Sequence, residues 1–123
     1  MTKQSEAFMR QMLEFLPSTE ASYTESVVFN GEVLETVIIE DVFMPVIIEL
    51  IRQEENIDLI EQIFEYFEEV SNDEDAHLIN IFSITALEIL GNEETILRTA
   101  QKYMGPRTKE LQKEADRALG RKV

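Results

Sequence analysis

Apolar residues recur at helical spacing along most of the chain. Phe8, Met12, Phe15 and Leu16 fall on one side of residues 5–16, and Pro17 then blocks continuation, because it has no N–H and a locked φ. Asn56 precedes a stripe of Ile60, Ile63, Phe64 and Phe67, with Glu61, Glu65, Glu68 and Glu69 facing away. That pattern predicts an amphipathic helix capped by the Asn side chain. Ser71 and Glu74 have capping-box spacing ahead of a third stripe, Ala76, Ile79, Phe82, Ile84, Ala86, Leu87 and Leu90. Gly91 follows the last of these, where a left-handed C-terminal stop is expected. Asn92 opens another stripe, Ile96, Leu97, Ala100 and Tyr103, which ends at Gly105-Pro106. Leu111, Ala115 and Leu119 recur at every fourth position before Gly120 and predict a last helix.

Two stretches are less regular. Residues 33–54 are apolar almost all round, and Pro45 argues against one long helix. Pro is acceptable in a first turn, so a helix from near Asp41 or Val42 to Glu54, central in the core, is the simplest solution. In residues 18–36, Ser18 and Thr19 are able to cap a short helix, yet Val27-Val28-Phe29 before Asn30-Gly31 also reads as a strand entering a tight turn. Between these alternatives the stretch is treated as a loop.

The result is an all-α chain, one helical domain over residues 1–123 with about five to six helices. Residues 56–91 and 92–120 form two consecutive hairpins, each opening with Asn and closing with Gly. Hairpins of that length stack in HEAT-like α-solenoids, where each unit buries its face on the next. An irregular helix bundle with the same short connections fits equally.

Charge changes the picture. The chain carries 25 acidic and 11 basic residues, a formal net charge of −14. From Gln11 to Leu97 there are 21 acidic residues and one basic, Arg52; from Gln101 to Val123 there are seven basic and three acidic. An acidic body repels nucleic-acid phosphates and anionic membranes, and it attracts a basic protein. Neither nucleic acid nor membrane is therefore an expected partner. The first residues, Met1 to Glu6, lack a charged segment followed by an apolar one, so a cytoplasmic protein is expected.

Chemistry is scarce. There is no cysteine and no tryptophan, and the one histidine is His77. Glu74-x-x-His77 has the spacing found in di-iron helices, but that site needs two such motifs. A calcium loop starting at Asp73 requires Gly at its sixth position, where Leu78 stands. The four glycines are too far apart for a phosphate-cradling loop, and Ser83 lacks the flanking glycines of a nucleophile elbow. The expectation is a protein that is not an enzyme and uses no catalytic residue, metal or cofactor.

What remains distinctive is acidic surface. Glu61, Glu65, Glu68, Glu69, Asp73, Glu74 and Asp75 fall within fifteen residues without a Lys or Arg among them. Like charges four apart weaken an isolated helix by a few tenths of a kcal/mol each, so the apolar stripe has to hold this one by packing. Glu65, Glu68, Glu69, Asp73, Glu74 and Asp75 are the first candidate partner-binding set, and Glu32, Glu35, Glu40 and Asp41 the second. The basic residues Lys109, Lys113, Arg117, Arg121 and Lys122 are able to pair with the acidic body within the fold or between copies.

Three segments carry a resemblance: residues 63–69 (Ile-Phe-Glu-Tyr-Phe-Glu-Glu), residues 86–91 (Ala-Leu-Glu-Ile-Leu-Gly), and Tyr103-Met104-Gly105-Pro106-Arg107-Thr108 with Leu111. They resemble the helix, helix-end and turn patterns of a family of small bacterial all-helical, HEAT-like proteins associated with toxin-immunity loci of the contact-dependent inhibition type. Tyr66 stands where an aliphatic residue is expected, and residues 1–32 carry little of the likeness. The resemblance implies an immunity protein that binds and neutralises a cognate toxin, a basic nuclease being the natural target of an acidic inhibitor. A scaffold or adaptor of the α-solenoid kind, without a toxin partner, is the alternative.

Overall fold

A computed structural model describes residues 1–122. Every regular element among them is helical, and there are seven helices. In chain order, α1 is Lys3–Phe15 and α2 is Glu20–Asn30, separated by a 3-10 turn at Pro17–Thr19. Helix α3 covers residues 35–53 as Glu35–Ile38, a wide π turn Ile39–Phe43 and Met44–Gln53. Helix α4 is Ile57–Ser71. Helix α5 covers residues 76–90, again with a π turn, Ser83–Leu87, between Ala76–Phe82 and Glu88–Leu90. Helices α6, Glu94–Gln101, and α7, Pro106–Ala118, complete the fold.

The stretch treated as a loop contains α2. Gly31 ends it in the left-handed conformation, φ 74°, with its N–H bonded to the Val27 carbonyl. Thr19 precedes the helix without capping it, and its hydroxyl turns back to the Leu16 carbonyl at 2.6 Å. Pro45 does not break α3. The Met44 N–H reaches back five residues to the Ile39 carbonyl. The extra residue in that turn accommodates the ring and the lost hydrogen bond, so the helix starts at Glu35, well before Asp41. In α5 the Thr85 hydroxyl bonds the Ile81 carbonyl, the acceptor an ordinary turn gives to a backbone N–H, and a π turn results.

Several caps differ from the sequence expectation. Ser71 is the buried last residue of α4, bonded to the Phe67 carbonyl and to the Thr108 hydroxyl. The cap of α5 is Asp75, whose carboxylate accepts the His77 N–H. Gly91 is right-handed, φ −82° and ψ −6°, and is no left-handed stop. A Cβ there would displace the side-chain ends of Asp116 and Arg121, which pack against this glycine. Asn92 caps nothing; its side-chain oxygen accepts from Arg121, which also bonds Asp116 and the Glu88 carbonyl. At Asn56 the expected cap is present, with Oδ1 accepting the Leu59 N–H at 3.4 Å.

One core joins the helices. Aromatic rings link Phe8 of α1 to Phe82 of α5, Phe82 to Phe67 of α4, Phe67 to Phe64, and Phe64 to Tyr103 beyond α6, with centroids 5.0–6.2 Å apart. All but the tilted Phe64–Tyr103 pair are edge-to-face, which places ring edges on π faces. The π turns of α3 and α5 meet in the core, supplying Ile39, Val42 and Phe43 from one side and Thr85, Ala86 and Leu87 from the other. Helix α3 also lies on α6, α1 on α5, and α7 on both α4 and α5. Contacts that skip along the chain in this way close the helices into an irregular bundle. Among the described residues no helix is long and apolar enough to cross a membrane.

Candidate protein-interaction surface

Helix α4 is fixed from one side. Ile60, Ile63, Phe64, Phe67 and Val70 are buried, and each lies within a turn of the next along the helix. The opposite face follows from the same geometry: Glu61, Glu65 and Glu69, four residues apart, form an exposed row. Among the described residues none of the three lies within 4 Å of a cationic group. Tyr66 stands beside this row with its ring on Phe8 and edge-on to Phe15. Burial, with Glu69 and Asp73 adding to it, pushes its hydroxyl up to about 12. It therefore stays neutral across the physiological range.

Glu68 does not share that solvated face. Its Oε1 accepts the Thr108 N–H at 2.9 Å and the Thr108 hydroxyl at 2.8 Å, while Oε2 accepts the Arg107 N–H at 3.1 Å and the Asn72 amide at 3.2 Å. The carboxylate thus sits on the first turn of α7, where free N–H groups and the helix dipole both favour negative charge. Burial acts to raise its pKa, but the four bonds outweigh it and hold the carboxyl below its usual value. Gly105 makes the approach possible, since a Cβ there would overlap the Glu68 carboxyl.

Two other candidates are also turned inward. Glu35 is half-buried and accepts from His77 Nε2 at 2.8 Å, tying the start of α3 to the start of α5. Asp75, besides capping α5, accepts the Thr2 hydroxyl and so holds the start of α1. Asp73 is half-buried and accepts the Asp75 N–H at 2.8 Å. Glu74 is exposed, as are Glu32, Glu40 and Asp41. The candidate carboxylates left exposed are therefore Glu61, Glu65 and Glu69 on α4, Glu74 after it, and Glu32, Glu40 and Asp41 before and within α3.

The basic residues divide in the same way. Arg121 is spent inside the fold on Asp116 and the end of α5. Arg107 pairs with Glu110 at 2.8 Å and Lys102 with Glu54 at 3.5 Å. Lys109, Lys113 and Arg117 are exposed on α7. Glu54 ends α3 with a left-handed φ of 47°, and Tyr103 donates to it at 2.8 Å. That bond, ahead of an opposing contribution from burial, lowers the Glu54 pKa. Among the described residues no group of three or more His, Asp or Glu is placed to hold a metal ion.

The residues that sequence reasoning missed are apolar. Val28 and Phe29 on α2 are 76% and 89% exposed, beside Val37 and Val42 of α3. Their exposure becomes legible only once residues 20–30 are known to be helical, because Tyr23 and Val27 then take the inward face and leave Val28 and Phe29 outside. Among curated proteins and among solved structures nothing matches this chain. A family model described as a domain of unknown function, DUF7674, matches residues 9–120, from within α1 through the end of α7. The chain belongs to that family.

Proposed function

We propose that this protein is an immunity protein that acts by binding: it captures a basic toxin in the cytoplasm of the cell that makes it and covers the toxin's working surface. The observation that carries this reading is the row Glu61, Glu65 and Glu69, exposed and, among the described residues, without a paired cation, on a helix whose other face is locked into the core. A rigid acidic row is suited to steer and orient a basic partner, while a few desolvated contacts supply most of the affinity. The resemblance of residues 63–69, 86–91 and 103–111 to immunity-associated proteins names the kind of partner.

Co-expression tests it. The product of the gene next to this one should be toxic alone, harmless in the presence of this protein, and recovered bound to it. Glu61→Lys with Glu65→Lys should abolish protection while leaving the helical circular-dichroism spectrum unchanged. A neighbour that is neither toxic nor bound removes the reading. Exposed Val28 and Phe29 favour a second one, an adaptor that docks an apolar partner without any toxin; it predicts protection-independent capture of a cellular protein.

A further inference from the structure

Helix α2 packs only lightly on the body. None of its residues is fully buried, and its attachment is Tyr23, stacked on Phe43 with centroids 6.4 Å apart, together with half-buried Val27. Between α2 and the first half of α3 runs a groove of about 850 Å³, open along its length. Val28, Phe29, Val37 and Val42 make it apolar, and Glu25 and Asp41 stand on its rim. Asp41 and Val42 belong to the π turn, so the widened part of α3 forms one wall. Glu32 and Glu40 are exposed nearby in the chain, and among the described residues no Lys or Arg lines the groove.

We infer that this groove is a docking site for a basic amphipathic segment of a protein partner, its apolar face against Val28 and Phe29 and its Lys or Arg residues against Glu25 and Asp41. Charge complementarity selects that occupant. Facing grooves of two copies would bring Glu25 and Asp41 against their own equivalents on a chain of net charge −14. An anionic lipid surface would meet the same repulsion. An apolar channel with an acidic rim instead matches a helix with one apolar and one basic face, a recurring way in which grooves take peptides. The inference concerns a different surface from the acidic row on α4 and stands without the toxin reading.

A synthetic helix-forming peptide with leucines on one face and lysines on the other, labelled for fluorescence anisotropy, is a suitable probe for the full chain. Phe29→Ser, at a solvent-exposed position, should raise its Kd about tenfold or more, as expected for losing the burial of one aromatic side chain. Glu25→Gln with Asp41→Asn should raise Kd several-fold at low salt. Glu65→Gln with Glu69→Gln, which changes the same number of charges on α4, should leave it within about twofold. Amide shifts on titration should centre on residues 25–30 and 37–42.

The inference fails if Phe29→Ser binds as the parent does, or if a peptide with glutamates in place of lysines binds equally well. It fails also if sedimentation shows a dimer that Phe29→Ser converts to monomer, because the groove then belongs to a second copy. Loss of toxin protection in the acidic α4 variants with peptide binding intact separates the two sites. Full peptide binding by a chain whose neighbouring gene product is harmless would retain the groove and remove the toxin.

Discussion

Glu68 illustrates how one carboxylate can be surface by pattern and structural by contact. It lies next to Glu69 on an acidic stretch, yet its oxygens satisfy two N–H groups of the first turn of α7 and the Thr108 hydroxyl. Replacing it by Gln leaves one acceptor oxygen and turns an amide toward a backbone donor. Glu68→Gln should therefore destabilise the fold by about 1–2 kcal/mol at neutral pH, within the range of a lost helix cap. Because the folded carboxyl ionises below its unfolded value, its contribution is complete above the unfolded pKa and is lost as the pH falls through the folded one. Urea denaturation of parent and variant should differ at pH 7 and converge under strongly acid conditions. A gap that is constant with pH would exclude the charge as its source. Gly105→Ala should cost a similar amount by displacing the same carboxylate, and the two substitutions together should cost less than their sum, since each removes the same contact. None of this is written in the spacing of Glu68, because its partner lies some forty residues further along the chain.

At the scale of elements, α7 keeps Leu111 and Ala115 inward but exposes Leu119 and buries Thr108, Gln112 and Asp116. By contrast α1 and α4, with one clean stripe and one clean polar face, are legible from sequence to within a few residues. Their period alone fixes the buried face. Helices α2 and α3 are less legible for opposite reasons. The sequence of α2 combines strand-forming Val27-Val28-Phe29 with a turn pair, Asn30-Gly31, and its local preferences are decided by two contacts, Tyr23 on Phe43 and Val27 on the core. In α3 a proline contradicts the helical pattern, and a π turn removes the contradiction; the packing of that turn on its counterpart in α5 is invisible to any local rule. The light attachment of α2 has a measurable result. Its amides should exchange with deuterium well before those of α4, whose apolar face is buried throughout, because local opening exposes little apolar surface. Equal protection of residues 20–30 and 57–71 in a hydrogen-exchange experiment would contradict that attachment.

For the whole molecule the dominant quantity is charge. A net charge of −14 on a chain of this size repels itself in the compact state, since 11 basic residues cannot balance 25 acidic ones. Sodium chloride should therefore raise the melting temperature by a few degrees between low and moderate ionic strength, through screening. A melting temperature that is flat or falls with salt would show that the internal pairs, such as Arg52 with Glu93 and Arg121 with Asp116, already balance the field. The sequence by itself determined the all-α class, the faces of the regular helices and the sign of the surface, because periodicity and composition are local or additive properties. Tertiary structure alone decided which carboxylates remain free. Glu68, Glu35 and Asp75 were drawn inward by donors on helix starts, side chains and the chain's first residues, whereas Glu61, Glu65, Glu69 and Asp41 were left to solvent. It also decided that Val28 and Phe29 lie outside the core, since a burial pattern becomes definite only when the partner surface is in place.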